Sequence, residues 1–291
     1  TLPAISAFDH AIVKAEIDGR IYWIDATNYL QGGAAANFVQ ADFSYALPIE
    51  PGRKELEAMA PRLSGAPDTT IVETFDFPTH AGAPLKLAVE STYRGAGADS
   101  IRRSLASKSR ERIGANYLEY YASRYPGIES AQPLAASDDR ESNTVTTVEN
   151  YVLSSENLEA DGLHSDFPLR ADLDMSDLPT PTSVGRRSPI ALPRAAFRVH
   201  QTVIHNLKAR FRGPDAKPQF TPYFWFFIAD ESTDDAFVLT WSYMKLQTDR
   251  VPLPAIETYK KAVKSAQDNT QVYYDFTQED KKEEAASTGS N

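Results

Sequence analysis

Two residue types that act together in acid–base catalysis stand near the start of the chain, His10 and Asp25. Between them Asp18-Gly19 separates two runs, AIVKAEI and RIYWI, in which residue types alternate. Asp-Gly joining such runs signals a hairpin, because both central turn positions take positive φ. With that turn, Ile17 faces Arg20, Ile12 faces Asp25 and His10 faces Thr27. His10, Ile12, Asp25 and Thr27 then share one side of the ribbon. Ala11, Val13, Ala15, Ile17, Tyr22, Ile24 and Ala26 form an apolar opposite side, expected to face the core. His10 and Asp25 become diagonal neighbours, with Cα atoms on the order of 7–8 Å apart, close enough for imidazole and carboxylate to meet. Such a pair fixes the tautomer of the ring and stabilises its protonated form, as a base requires when it activates a thiol or hydroxyl. The same spacing also fits an ordinary pair of surface polar groups.

Composition narrows the chemistry. The 291 residues contain no Cys, which excludes disulfides, thiolate metal sites and a cysteine nucleophile supplied by this chain. A net charge of −10 argues against nucleic acid as a partner, and no apolar run is long enough for a transmembrane segment. His80, His164, His200 and His205 lack metal-ligand spacing, so neither metal nor other cofactor is expected. The basic group Arg102, Arg103, Lys108, Arg110 and Arg112 reads as a solvated helix face. Lys208, Arg210 and Arg212 around Phe211 read as a loop flank. The aromatic block over 223–227, with Trp241 and Tyr243, fits strand packing or a carbohydrate-stacking platform.

The elements that must position these groups are mainly strands. Strands are expected over 43–49, 70–77, 85–93, 144–153, 197–207, 220–229 and 236–246. Arg53 to Met59 is expected to make one or two helical turns. An amphipathic helix begins near Asp99 or Ser100 and carries Ile113, Tyr117 and Tyr121 on one stripe, with Gly114 as a possible break. Residues 135–143 read as a polar loop, 169–178 as a short helix and 179–193 as an irregular connection. Pro254 opens a last helix carrying Ile256, Tyr259 and Val263. The charged, Ser/Gly-rich stretch over 278–291 is expected to be a disordered tail.

The His10-Ala11-Ile12-Val13 and Tyr22-Trp23-Ile24-Asp25-Ala26-Thr27 runs resemble the His-strand and Asp-strand signature of the transglutaminase-like superfamily. Its members use a Cys-His-Asp triad. Ala26 stands where the family has Pro, a change that leaves the carboxylate in place. Gln31-Gly32-Gly33, the short strand near residues 46–49 and Arg187-Ser188-Pro189 look like bacterial multidomain members, in which β-rich domains of uncharacterised role flank the core. The resemblance is specific over about residues 8–50 and a pattern similarity beyond. It implies that His10 is the general base and Asp25 its orienter. In the family the Cys starts a helix upstream of the His strand, whereas nine residues precede His10 here.

The resulting expectation is an α+β, mostly β chain: residues 1–50 as the C-terminal part of a transglutaminase-like core, and 51–277 as a β-rich, sandwich-like domain with a tyrosine-lined helix. The chain begins with Thr and shows no leader, which reads as a processed product or a piece of a longer protein. Its expected partners are an upstream part of the same polypeptide that carries the Cys helix, and a protein or peptide substrate. The expected chemistry is thiol acyl transfer, by peptide or isopeptide hydrolysis or by amide cross-linking, with this chain inactive alone. The resemblance also implies a periplasmic or cell-surface location. The competing expectation is a non-catalytic binding or scaffolding module for a protein or glycan polymer, or a degenerate relative of the enzymes.

Overall fold

The structure, a computed structural model, describes residues 8, 10–35, 38–40, 43, 45–59, 65–80, 82–154, 167–182, 186–206, 208–212 and 218–277. The expected tail over 278–291 and His164 lie outside the described residues. The chain is mostly β, with a large mixed sheet and few helices. It opens with a hairpin of β1 (Val13–Ile17) and β2 (Arg20–Ile24), in the register set by Asp18-Gly19, with Ile17 opposite Arg20 and Val13 opposite Ile24. Asp18 and Gly19 have φ of 52° and 72°, the left-handed pair that a two-residue turn between right-twisted strands requires. Two short strands follow, β3 (Tyr45–Ala46) paired with β4 (Glu57–Ala58). The helical turns expected over 53–59 do not form, because residues 57–58 pair as a strand across the Pro51-Gly52 turn.

The main body starts with β5 (Thr69–Asp76) and β6 (Leu85–Arg94), followed by α1 (Ala96–Ser107) and α2 (Arg110–Ala122). The break between the helices falls at Lys108-Ser109 rather than at Gly114. Lys108 is extended, and the Ser109 side chain caps α2 by accepting a hydrogen bond from the Arg112 N–H. Gly114 stays helical and packs against Leu134. Next come β7 (Glu129–Asp139) and β8 (Thr144–Leu153). Residues 135–139, expected in a loop, belong to β7, which lies at the end of the sheet. Its mostly exposed side chains hide the strand from pattern reading, and Pro133 sits at a register shift between Gln132 and Ala135, where an edge strand tolerates proline.

Then follow β9 (Phe167–Arg170), β10 (Ile190–Ala191), β11 (Ala196–His205), β12 (Lys208–Arg212), β13 (Gln219–Phe220), β14 (Phe224–Ser232) and β15 (Ala236–Lys245). β16 (Arg250–Val251), a 3-10 turn at Leu253–Ala255, α3 (Ile256–Asp268) and β17 (Gln271–Thr277) complete the order. The helix expected over 169–178 is replaced by the end of β9 and turns, since β9 pairs with β17. The eight-stranded sheet runs β13-β14-β15-β11-β5-β6-β8-β7, and its one parallel pair, β5 with β11, joins the two halves of the chain.

Alternation along the strands makes one sheet face the core. Phe75, Leu87, Leu153, Ile204, Phe224, Phe226, Leu239 and Trp241 are buried there. The layer over them consists of Tyr121 from α2, Tyr259 and Val263 from α3, and Leu169, Met175, Leu178, Ile190 and Leu192. The Trp241 indole N–H also donates to the Asn269 carbonyl at the end of α3 (3.1 Å), fixing that helix to the sheet. Among the described residues no helix is long and apolar enough to cross a membrane.

The side of the hairpin expected to face the core does not do so as a whole. Val13 and Ile17 are 53% and 51% exposed, whereas Trp23, on the opposite side, is buried together with Tyr22. Tyr22 belongs to the expected core side, so that side is covered in part, and the Trp23 side is covered beside it. The Trp23 N–H donates to Gln40 Oε1 (3.0 Å), and Lys14, beside the Trp23 ring, pairs with Glu57 of β4 at 2.7 Å.

Candidate functional site

His10 and Asp25 flank the open end of the hairpin, just before β1 and just after β2, and their side chains meet. His10 Nε2 lies 3.1 Å from Asp25 Oδ1. The same oxygen accepts from the Thr27 hydroxyl (2.7 Å) and the Thr27 N–H (3.0 Å). The Thr27 hydroxyl above all, then its N–H and His10, holds the Asp25 carboxyl below the usual carboxylate range against a weaker opposing effect of burial. The carboxylate is therefore ionised at neutral pH and its orientation is set by a neighbour two residues on. The Phe43 ring leans on the imidazole with centroids 5.2 Å apart. Among the described residues His10 Nδ1 has no hydrogen-bond partner, so the ring is held by one nitrogen and open at the other.

Beyond Asp25 the chain is anchored to the body by buried polar groups. The Asn28 N–H bonds the Asp25 carbonyl, and the Gln31 N–H bonds the Asn28 carbonyl. Gly32 N–H then donates to the Asp99 carboxylate of α1 (3.0 Å), while Gly33 N–H bonds the Arg140 carbonyl (2.7 Å). Arg102, also on α1, organises the anchor: it donates to the Leu30 carbonyl, Asp99 and Asn143 at 3.2, 2.8 and 3.2 Å, and grips Asp138 of β7 through Nε and Nη2 at 2.9 and 2.7 Å. The hydrogen bonds to Asp138 foremost raise the Arg102 guanidinium further, and Arg102 in turn lowers Asp138. A Cβ on Gly32 would stand 2.7 Å from Asn143 Oδ1 and 2.9 Å from Arg102 Nη1, so the backbone approach needs glycine. Arg102 thus departs from the solvated helix face expected of it. Arg103 also turns toward this segment, donating to Asn28 Oδ1 at 2.9 Å.

Between the hairpin and α1 lies a small cleft of about 150 Å³ lined by Asp25, Asn28, Gln40, Phe43, Arg103 and Arg194, among others. It places polar and cationic groups next to the Asp25 side of the pair.

A second polar cluster is enclosed by the core, and residue spacing gave no sign of it. Glu73 of β5, 2% exposed, accepts from the Tyr121 hydroxyl (2.8 Å) and lies 3.3 Å from His200 Nε2 and 3.8 Å from Arg124 Nη1. His200 is fully buried, and its Nδ1 accepts from the Asp172 N–H (3.1 Å), so Nε2 carries the proton facing Glu73. Burial opposes the Glu73 charge, but His200, Tyr121 and Arg124 outweigh it and keep the carboxyl below its usual range. Glu149 of β8 goes the other way: burial, reinforced by the charge of Glu73, pushes it up to about 7 against the Tyr151 hydrogen bond. Glu73, Tyr121, His200 and Glu149 are all buried, so they hold α2 on the sheet from within the core.

Glu149 has a consequence for stability. Its pKa is raised in the fold from an ordinary 4.5 to about 7, so between those values the folded chain holds a proton that the unfolded chain has lost. Stability contributed by that proton is present below the unfolded value and falls as pH rises to about 7, by roughly 3 kcal/mol at most at 1.36 kcal/mol per unit. Glu149→Gln, which cannot ionise, is expected to be more stable than the wild type at pH 8 and to flatten this slope. Urea unfolding at pH 5 and pH 8 checks it.

The remaining expectations divide. His200 and His205 point to opposite faces, and among the described residues no group of three or more His, Cys, Asp or Glu side chains is placed to hold a metal ion. Of the aromatic block, Phe224, Phe226, Trp241 and Tyr243 are core residues, while Phe220, Trp225 and Phe227 are exposed together on the outer face of β13 and β14. No protein-family model, no curated protein and no solved structure matches this chain.

Proposed function

We propose that His10 and Asp25 are the base and orienter of a transglutaminase-like thiol acyl-transfer centre whose cysteine is supplied by a polypeptide segment outside this sequence. The observation that carries the reading is the pairing of His10 Nε2 with Asp25 Oδ1 at 3.1 Å, with Nδ1 left open for a nucleophile. With the proton on Nε2, the nitrogen that lies against the carboxylate, Nδ1 holds the lone pair, and it is that nitrogen that takes the thiol proton. The thiolate then attacks the acyl carbonyl, the imidazolium returns its proton to the leaving amine, and water or a second amine releases the acyl group. Asp25, kept ionised by Thr27, stabilises the imidazolium between these steps.

The surroundings support the same reading. Among the described residues ten exposed large apolar side chains, including Val13, Ile17, Tyr29, Tyr45 and Ile49, fall between Phe8 and Leu56, against four in the rest of the chain. Exposed apolar side chains gathered in this stretch of chain are what the reading expects where the segment that brings the cysteine to His10 Nδ1 would dock. An extracytoplasmic location goes with the reading by resemblance. The test is acyl transfer in a polypeptide that joins this chain to its cysteine-bearing segment: loss on His10→Ala supports the assignment, and unchanged turnover overturns it.

A second reading, a binding module for a protein or glycan polymer, draws on exposed Phe220, Trp225 and Phe227, with Phe220 and Trp225 rings 5.9 Å apart. The two readings part at Trp225→Ala, which removes polymer binding on the second and leaves acyl transfer intact on the first.

A further inference from the structure

The centre strands of the eight-stranded sheet have one covered side and one open side. Along β11 the inward His200, Thr202 and Ile204 are buried, while the outward Val199, Gln201 and Val203 are partly exposed; β6 and β8 alternate in the same way. The strand registers bring the outward residues into rows across the sheet. One row begins at Phe227 of β14 and runs through Ser242, Val199, Thr70, Thr92 and Thr146 to Ser137 of β7. Six strand spacings of about 4.8 Å make it roughly 29 Å long. Beside its start, Phe220 and Trp225 stand opposite each other, and Trp225, Phe227 and Phe220 are exposed.

Three properties narrow what this face holds. Thr70, Thr92, Thr146 and Ser137 are partly or fully exposed, and a hydroxyl both donates and accepts. An apolar partner laid over them would take their water and return no hydrogen bond. The row has no ionisable side chain in a chain whose residues are 24% charged, and the neighbouring row through Gln201 has one, Glu90, so an anionic polymer meets no cation there. Finally, β15, β11, β5, β6 and β8 are paired on both sides, so they have no main-chain hydrogen bonds to give an added peptide strand. We propose that this face binds a neutral, extended glycan chain, with one sugar ring against Trp225 and Phe227 and the following rings along the hydroxyl row. The electron-rich face of an aromatic ring attracts the weakly positive C–H groups of a sugar. The inference rests on the binding-module reading and is independent of the thiol centre.

Calorimetric titration of the full chain with cellohexaose, N-acetylchitohexaose, a hyaluronan oligosaccharide and gelatin tests the proposal. The expected result is saturable binding of at least one neutral hexasaccharide, with a dissociation constant on the order of 1 mM or tighter, and weaker binding of hyaluronan. Tighter cellohexaose assigns an unsubstituted chain, and tighter N-acetylchitohexaose an acetamido one. Trp225→Ala is expected to weaken binding about tenfold, as the loss of an aromatic anchor does. Thr92→Val, which keeps the shape of a partly exposed side chain and removes one hydroxyl from the middle of the row, is expected to weaken it several-fold. No saturation by either hexasaccharide, tighter binding of hyaluronan, or binding indifferent to either substitution would overturn the proposal. Gelatin binding that is lost on Trp225→Ala, with no response to either sugar, would overturn the glycan assignment and leave the binding-module reading standing; no response to any of the four would remove both.

Discussion

His10→Ala, made in a polypeptide that also carries the nucleophilic cysteine, is expected to lower acyl-enzyme formation by roughly 10²–10⁴-fold, the range that a positioned general base contributes. The size follows from geometry. His10 is the residue whose Nδ1 is open beside an ionised, oriented carboxylate, and removing it leaves Asp25 without a ring to orient. Asp25→Asn is expected to be nearly as damaging by a different route. The oxygen facing Nε2 is also the one that accepts from the Thr27 N–H and hydroxyl, so an amide oxygen stays there, and what the variant loses is the negative charge that stabilises the imidazolium. The two losses should not add, since both act through one imidazole. Single-turnover acylation of a peptide ester, followed by mass, measures this. A His10→Ala rate within about twofold of the wild type would remove the ring from the chemistry.

Arg102→Met is expected to cost about 3–5 kcal/mol of folding stability, as when one partner is removed from a buried ion pair. Asp99, whose side chain is 3% exposed, would keep its charge without its cation, and Asp138, Asn143 and the Leu30 carbonyl would lose their donor together. The damage should extend to the site, because the Gly32 N–H is held by the Asp99 carboxylate that Arg102 orients. Hydrogen exchange is expected to show faster amides at Gly32 and Gly33 while β6 and β8 stay protected. Urea unfolding gives the energy. A loss below about 1 kcal/mol would mean that the anchor behaves as a surface pair.

The hairpin was legible because its information is local: Asp18-Gly19 dictates the turn, and the turn dictates which residues face Asp25. The long alternating strands β6, β8, β11 and β15 were legible for the same reason. β7 was hidden because an edge strand with exposed side chains and a proline resembles a loop. Lys108-Ser109 broke the helix pair because cap chemistry at Ser109 prevailed over the weaker helix propensity of Gly114. The Arg102 anchor and the Glu73 cluster depend on contacts between residues far apart in the chain, Arg102 with Asp138 and Glu73 with His200 across the parallel β5–β11 pair. No spacing rule reaches that far. The exposure of Val13 and Ile17 was unreadable for a related reason, since alternation reveals which side is apolar but not what lies against it.

The central claim, that Asp25 sets His10 as a base with its lone pair on Nδ1, can be tested directly on this chain. The measurement is the pair of imidazole ¹⁵N chemical shifts of His10, recorded while the ring is neutral, in the wild type and in Asp25→Ala. The account predicts a proton on Nε2 and a bare Nδ1 in the wild type, with the proton shared between the two nitrogens in the variant, which lacks the acceptor. A proton on Nδ1 in the wild type, or shifts indifferent to Asp25→Ala, would contradict it.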